Sequence, residues 1–277
     1  MDPISYLDAV VLGVVEGLTE FLPVSSTGHL TIAEKILGLT TDDKGVTAFT
    51  AVIQVGAIAA VILYFWGDIL RIAGAWLGGL VKPEYRGTLD HRMGWYIIVG
   101  SFPIAVVGLA LRHVIEDDLR SLWIVAGGLI VWSAVILYAE RQGRQERGED
   151  AMNLRDALVM GVVQCVALVP GVSRSGATIS AGLLRGLDRV AATRMAFFLG
   201  IPALTAAGAL EAVKNRHDIS WGPTIVGTLV AFVVAYGTVA WLLKFVAHHS
   251  IGKFVPYRLA VGAVVLVLLA TNVMAAT

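Results

Sequence analysis

The sequence predicts an all-α, polytopic membrane protein built from two inverted-topology repeats, each a re-entrant helix hairpin followed by three transmembrane helices. Composition predicts the membrane class: the 277 residues are 57% hydrophobic and 15% charged, with a mean hydropathy of +0.76. An internal duplication predicts the repeats. The stretch at 14–29, VVEGLTEFLPVSSTGH, recurs in altered form at 162–176 as VVQCVALVPGVSRSG, with a constant offset of 148 residues.

Six charge-free runs supply the predicted transmembrane helices. Most of them reach the roughly 20 residues that cross a bilayer, and the shortest run extends into the turn before it. The runs are 45–67, 93–111, 121–139, 195–210, 219–243 and 259–277. The formal net charge is zero, so the chain lacks the basic surface that a nucleic acid partner requires.

Each half begins with a segment that is too interrupted to cross the bilayer. Residues 5–37 are predicted to form a hairpin of two helices that breaks at Pro23, and residues 157–185 are predicted to repeat it with a break at Pro170. Polar backbone at membrane depth requires cover from protein or water, which favours re-entrant hairpins. The predicted division is a first repeat at 1–139, a polar cytoplasmic linker at 140–156 and a second repeat at 157–277.

The positions of basic residues predict the orientation, because Lys and Arg concentrate in cytoplasmic loops. Fourteen of the 21 basic residues, Arg258 among them, lie on one side, and Arg174 stays within the membrane. The side with the N-terminus holds six, which are Lys35, Lys44, Arg112, Arg120, Lys214 and Arg216. Both termini are therefore predicted to face outward. Three spans per half is an odd number, so the second half is inverted and the two hairpins meet near the midplane.

The first hairpin carries two acidic residues four positions apart. Glu16 and Glu20 share one face of a helix, and carboxylates at membrane depth usually serve a function. Two carboxylates with nearby hydroxyls suit a hard divalent cation, Mg²⁺ or Ca²⁺. The alternative is that both side chains reach the membrane surface and bind nothing.

The turn after Pro23 combines hydroxyl groups with an imidazole. Ser25, Ser26 and Thr27 precede a helix start, where free N–H groups favour an anion. His29 follows Ser26 by three residues and can act as its base or acid. The alternative is that the hydroxyls only cap the helix and His29 is a hydrogen-bonded interior residue.

The second hairpin places a single arginine among small residues in PGVSRSGAT, residues 170–178. Arg174 offers a planar fork for phosphate oxygens, and the neighbouring glycines let backbone N–H groups approach an anion. Arg174 requires a counter-ion, which either the two glutamates or a substrate supplies. A structural Arg–Glu pair between the repeats is the alternative. Gln54, in an otherwise apolar span, either lines the cavity or bonds another helix.

These two motifs, EGLTEFLPVSSTGH at 16–29 and PGVSRSGAT at 170–178, closely resemble the signatures of the bacitracin-resistance family of undecaprenyl-diphosphate phosphatases. The resemblance implies an enzyme of the bacterial cytoplasmic membrane that hydrolyses undecaprenyl diphosphate and recycles the lipid carrier for peptidoglycan and other envelope polymers. It also implies dependence on a divalent cation and an active site that faces outward. A homodimer is one option for the oligomeric state.

By motif position, the resemblance makes Glu16, Glu20, Ser26, His29, Ser173, Arg174 and Thr178 the active-site set. The predicted catalytic residues are Glu16, Glu20, Ser26, His29 and Arg174, with Glu16 and Glu20 also as metal ligands. The predicted substrate-binding set, which adds other hydroxyl groups of the turns and a polar residue of a span, is Ser25, Thr27, Gln54, Ser173, Arg174, Ser175 and Thr178. Ser26 attacks the terminal phosphorus with help from His29 or Glu20, or else an activated water attacks directly. The competing function is a transporter or flippase of a prenyl phosphate, since inverted repeats are typical of alternating access.

Overall fold

The computed structural model describes residues 4–40, 43–111, 119, 121–214 and 219–276, without the side chains of 211 and 212. Regular secondary structure within these residues is helical. The α-helices are α1 Tyr6–Thr19, α2 Ser26–Ile36, α3 Lys44–Tyr64, α4 Trp66–Val81, α5 Leu89–Ala110, α6 Leu122–Gln142, α7 Leu154–Gln164, α8 Arg174–Leu184, α9 Arg189–Lys214, α10 Trp221–His248 and α11 Val255–Ala270. Short 3₁₀ helices lie at Pro83–Tyr85, Glu149–Ala151, Cys165–Leu168 and Ile251–Phe254.

The predicted all-α class and the predicted spans are confirmed. Among the described residues, six helical segments are long and apolar enough to cross a membrane. They are α3, α5, α6, the part of α9 from Arg189 to Leu210, α10, and Ile251–Ala270. The inverted orientation of the two halves and the three-part division of the chain stay predictions. Three basic residues of the orientation count, Arg112, Arg120 and Arg216, lie outside the described residues.

The two hairpins begin with the same local structure, 148 residues apart. The Ser5 side chain caps α1 and forms a reciprocal capping box with Asp8. Asn153 caps α7 and forms the same box with Asp156. Such a box satisfies two backbone N–H groups that a helix start leaves unpaired. The duplication therefore extends from the sequence motifs to the helix starts.

Each hairpin packs on a span of the other half of the chain. Gly17 of α1 faces α10 so closely that an added Cβ would lie 2.7 Å from the Ala231 carbonyl oxygen. Gly161 of α7 packs in the same way on α5, where an added Cβ would overlap the Gly100 carbonyl. Glycine is needed at these contacts because no side chain fits between the helices. Because each hairpin packs on the other half of the chain, the turns at the far ends of the two hairpins lie close together.

Two basic residues of the orientation count lie in helices. Arg71 is one of the fourteen basic residues counted on the cytoplasmic side, but it lies within α4, Trp66–Val81. This helix was not predicted because Asp68 and Arg71 interrupt its apolar residues. Arg258 was counted as a loop residue, but it is 0% exposed within α11. Its charge therefore does not belong to a solvated loop.

The linker between the halves is anchored to the second hairpin. Asp156 is 0% exposed and accepts hydrogen bonds from Arg147 at 2.6 Å and Arg185 at 2.9 Å. Burial alone would raise the pKa of the Asp156 carboxyl, but hydrogen bonds from Arg147, Arg185 and the Asn153 backbone outweigh it. They hold the pKa below its ordinary value. The ion pairs therefore stabilise the fold only while Asp156 is charged.

Asp156→Asn is expected to lower the thermal midpoint in detergent by about 5 °C, because it removes the charge that two arginines share. Since the folded-state pKa is the lower one, this stabilisation is complete above the ordinary pKa near ~4 and is lost as the pH falls. The difference from the wild type should therefore be full at neutral pH and shrink in acid. Asp150→Asn, at an exposed position of the same linker, is the control. A difference that is equally large in acid would contradict the assignment.

Candidate active site

The two hairpin turns meet and share an unusual backbone conformation. Ser25 has φ 78° and ψ 99°, and Ser173, 148 residues later, has φ 78° and ψ 121°. A positive φ is uncommon for serine, and such residues cluster at functional sites. Ser25 caps α2 by accepting from the Gly28 N–H, and Ser173 caps α8 by accepting from the Gly176 N–H.

Hydrogen bonds connect each turn to the other. The Ser25 hydroxyl accepts from the backbone N–H of Gly171 at 3.1 Å. The Ser175 hydroxyl donates to the Leu22 carbonyl at 2.9 Å, and the Ser173 hydroxyl donates to the same carbonyl at 3.4 Å. The N-termini of α2 and α8 therefore lie on either side of one small region.

Glu20 is the side chain that joins the two motifs. One carboxylate oxygen accepts a hydrogen bond from the Ser26 hydroxyl at 2.5 Å. The other oxygen accepts from the Arg174 guanidinium at 3.2 Å. A hydrogen bond from a hydroxyl to a carboxylate is strong when it is this short. Glu20 is thus placed to take the Ser26 proton while its charge is balanced by Arg174.

One donor of the Arg174 guanidinium lacks a partner in the part of the chain that the structure describes. Its guanidinium donates to Glu20 and, at 3.0 Å, to the Ala196 carbonyl of α9. Its Nε is buried and has no hydrogen-bond partner among the described residues. An unpaired buried donor is costly, so it favours an anion that completes the arrangement.

Gly200 of α9 has no side chain, and the Arg174 guanidinium packs against it in the space that a side chain would fill. A Cβ at position 200 would overlap the Arg174 guanidinium. Gly200→Ala is therefore expected to displace that group and lower the activity about 10- to 100-fold, since small misplacements of a positioned group are expensive. Gly208→Ala is the matched control in the same helix, because its Cβ would come no closer than 3.5 Å to a neighbour. Equal activities of the two variants would contradict the role of the guanidinium position.

His29 does not contact Ser26, contrary to the prediction that it acts on this hydroxyl. Its Nδ1 lies 2.7 Å from the Ser25 carbonyl, which can only accept, so Nδ1 carries the proton. Its Nε2 lies 2.8 Å from the Tyr257 hydroxyl of α11, and the two rings stack. Both nitrogens are therefore occupied, and the side chain that accepts a hydrogen bond from the Ser26 hydroxyl is Glu20. The spacing of three residues misled the prediction because it takes no account of the contacts that hold the imidazole, which are the Ser25 carbonyl and the distant Tyr257 hydroxyl.

Glu16 is the most unusual carboxylate of the site. It is 0% exposed, and neither carboxylate oxygen has a hydrogen-bond partner among the described residues. A buried charge without a partner is unstable, so Glu16 must bind a proton or a cation. The described residues contain no cluster of three or more His, Cys, Asp or Glu side chains. The unpartnered oxygens of Glu16 and the carboxylate of Glu20 are hard donors of the kind that Mg²⁺ and Ca²⁺ prefer.

A cavity of about 410 Å³ opens beside the two turns. Its polar end includes Glu20, Ser25, Ser26, Thr27, Ser173 and Arg174, which come from both motifs. The rest of its wall is mainly apolar and consists of residues 104–109 of α5, 167–168 and residues 202–210 of α9, with some gaps. An amphipathic molecule with an anionic head fits this division of the wall.

The other predicted substrate-binding residues divide into two groups. Gln54 lines the cavity, as one of the two predictions for it proposed. Ser175 and Thr178 are described but do not line it, and Thr178 donates to the Arg174 carbonyl of its own helix at 2.8 Å. Both are 0% exposed and hold the turns and α8, so the structure does not support a direct contact with substrate.

Sequence reasoning missed three residues near the site. Ser101 lines the cavity with a hydroxyl that lacks a hydrogen-bond partner among the described residues. Tyr257 binds His29, and Arg258 binds both turns. The polar Ser101 within an apolar span was a usable signal. Nothing in the sequence connects residues 257 and 258 with turns more than 80 residues away.

The chain matches the family model of bacitracin resistance protein BacA over residues 9–264, which include both turns and α1 to α10 from Ala9 onward. The chain belongs to this family. It is 58% identical to undecaprenyl-diphosphatase 3 of Frankia casuarinae, over 98% of this chain and 99% of that protein. It is 55% identical to undecaprenyl-diphosphatase 1 of Streptomyces coelicolor, over 99% of each chain. It is also 49% identical to undecaprenyl-diphosphatase of Mycobacterium ulcerans, over 99% of this chain and 100% of that protein.

Membership of the BacA family confirms the resemblance that the two motifs predicted. Together with the six apolar helices, it makes the chain a multi-pass membrane protein. The matched range contains every predicted site residue, and it also contains Tyr257 and Arg258.

Proposed function

We propose that the protein is a membrane phosphatase that hydrolyses undecaprenyl diphosphate to undecaprenyl phosphate and phosphate. The observation that carries the proposal is the position of Glu20, which accepts from Ser26 of one hairpin and from Arg174 of the other. A nucleophile, its base and an anion-binding group are thereby assembled in one place. The names of the relatives, undecaprenyl-diphosphatases of similar length, support the same substrate.

The polar end of the cavity suits the diphosphate. Arg174 offers its free Nε donor, and the first turns of α2 and α8 border the cavity with N–H groups that favour an anion. The apolar wall suits the first isoprene units, while the rest of the prenyl chain stays in lipid. Only the diphosphate head group and the first isoprene units therefore have to enter the cavity.

The geometry supports attack by Ser26 in two steps. In the first, Glu20 takes the Ser26 proton, the Oγ–P bond forms, and the bond to the bridging oxygen breaks, so undecaprenyl phosphate leaves. In the second, water attacks the phosphorus, the Oγ–P bond breaks, Glu20 returns its proton to Ser26, and the proton from water leaves with phosphate. Direct attack by a water that Glu20 activates is the rival route.

A divalent cation, Mg²⁺ or Ca²⁺, is part of the proposal. Glu16 and Glu20 would hold it, because they supply hard oxygen ligands and Glu16 has no partner among the described residues. When bound, the cation offsets negative charge on phosphate oxygens. Arg174 orients the substrate, and the pair Ser26–Glu20 moves the proton.

The location of the reaction follows from the predicted orientation. With both termini outward, the first hairpin enters from the outer face of the bacterial cytoplasmic membrane, so the site serves lipid carrier released there. Such a phosphatase recycles the carrier for envelope polymers and accounts for bacitracin resistance. A homodimer stays a prediction. A transporter or flippase of prenyl phosphate is the alternative, but it gives no role to the Ser26–Glu20 pair.

The test is phosphate release from undecaprenyl diphosphate by purified protein in detergent, with Mg²⁺ or Ca²⁺ and after chelation. We expect cation-dependent release by the wild type, and a loss of about 10³-fold or more in Ser26→Ala because the nucleophile is removed. Ser180→Ala is the control, since this buried hydroxyl has no hydrogen-bond partner among the described residues. Substantial turnover by Ser26→Ala would exclude the phosphoserine route, and no release by folded wild type would favour the transporter.

A further inference from the structure

Arg258 is a charged side chain that the proposed chemistry does not use. It lies near the start of α11, is 0% exposed, and is the largest of the fully buried described side chains. Its hydrogen-bond acceptors are backbone carbonyls and the Ser133 hydroxyl of α6, and none among the described residues is a carboxylate. Burying a guanidinium without a counter-ion is expensive, so its position has to be compensated by these acceptors.

The acceptors belong to both hairpin turns. One terminal nitrogen of Arg258 donates to the Pro23 carbonyl of the first turn at 2.8 Å. The other donates to the carbonyls of Gly171 at 3.0 Å and Val172 at 3.2 Å in the second turn. A planar group with several fixed N–H directions can hold two separate segments at once, which a single ammonium group does poorly.

Helix α6 supplies the remaining hydrogen-bond acceptors of Arg258. Its Leu129 carbonyl accepts from Arg258 at 3.3 Å, and its Ser133 hydroxyl accepts from the Arg258 Nε at 3.1 Å. At Gly128 an added Cβ would lie only 2.5 Å from the Pro170 carbonyl oxygen, so the second turn rests directly on this helix. The guanidinium is therefore enclosed by α6 and both turns.

We propose that Arg258 is a positioning residue that fixes the two hairpin turns relative to each other. Pro23 lies between Glu20 and Ser26 in the chain, and Val172 lies two residues before Arg174. The bonds from Arg258 thus set the distance between the Ser26–Glu20 pair and the anion-binding group. Arg258 itself does not line the cavity, so it acts through the turns and not on the substrate. This inference rests on the proposed phosphatase function.

The first test compares Arg258→Lys with the wild type in phosphate release from undecaprenyl diphosphate. Lysine keeps the charge but cannot reach both turns, so we expect kcat to fall about 10- to 100-fold with KM changed less than about threefold. Arg194→Lys is the matched control. Arg194 also binds several groups, Glu149 and Asp68, but none in the turns, so its kcat per folded molecule should stay near the wild-type value.

The second test needs no activity. Hydrogen exchange of the intact proteins is measured in peptides that cover 22–30 and 169–178, the two turns. We expect Arg258→Lys to raise exchange in both turns together, because the same group holds both. A peptide from α10 serves as the internal reference. Ser133→Ala, which removes only one acceptor of Arg258, should raise exchange in the turns less.

The outcomes separate the two proposals. Loss of kcat together with faster exchange in both turns supports the positioning role. Wild-type kcat in Arg258→Lys would overturn it, because the charge alone would then suffice. Faster exchange in only one turn, or in neither, would also overturn it.

If the wild type releases no phosphate, the proposed function fails, and the exchange data still decide whether Arg258 joins the turns. If Arg258→Lys does not fold, Ser133→Ala decides: unchanged kcat and unchanged exchange in the turns would overturn the role.

Discussion

Glu20→Gln is expected to lower kcat for phosphate release by about 10³-fold, within the range for loss of a general base. The amide keeps the shape of the carboxylate, but it cannot take the Ser26 proton and carries no charge for Arg174. Loss of a predicted cation ligand adds to the effect. The initial rate of phosphate release at saturating substrate is the measurement, normalised to monodisperse protein.

The control for this variant is Glu140→Gln. Glu140 is a similarly buried carboxylate that binds Arg189 at 2.7 Å and the backbone N–H of Ile251 at 2.7 Å, away from the turns. The Glu140→Gln variant should lose thermal stability and keep the wild-type kcat per folded molecule. If Glu20→Gln retained more than about a tenth of the wild-type kcat, Glu20 would not be the base.

Arg174→Lys is expected to reduce kcat/KM about 10²-fold or more, because lysine replaces a planar fork with a single ammonium group. Arg174 donates at once to Glu20, to the Ala196 carbonyl and, through its free Nε, to a substrate oxygen in the proposal. Lysine cannot supply all three contacts. The specificity constant with undecaprenyl diphosphate is the measurement.

Arg189→Lys is the matched change outside the site, since Arg189 pairs with Glu140. Its kcat/KM should remain within about threefold of the wild-type value. A similar loss in both variants would mean that Arg174→Lys acts through the fold and not through substrate binding.

The sequence was sufficient for the helical framework because its signals are local. Charge-free runs predict the spans, and the breaks at Pro23 and Pro170 predict that each hairpin has two arms, although α1 ends at Thr19 and α7 at Gln164, a few residues before these prolines. The offset of 148 residues also predicted that residues 25 and 173 are equivalent, and both have the same positive φ. The helix α4 was missed because its charged residues resemble those of a loop.

Contacts between distant segments could not be read from the sequence. The approach of Arg174 to Glu20 was one of two alternatives for its counter-ion, and only the structure selects it. The partner of His29 is Tyr257, and no spacing rule connects residues 228 positions apart. Arg258 was counted as a loop charge because a charge just before an apolar run usually marks the membrane surface. Tertiary packing decides these cases.

Glu20 and Arg174, from different hairpins, act as one phosphatase site in this proposal, and a double-mutant cycle measures their coupling. The kcat/KM for phosphate release is measured for the wild type, Glu20→Gln, Arg174→Lys and the double variant under one set of conditions, since a loss in kcat at constant KM lowers kcat/KM equally. Residues that act as a unit are strongly non-additive, so the double variant should lose little more than Glu20→Gln alone, about 10³-fold. Losses that multiply to about 10⁵-fold would contradict a shared site.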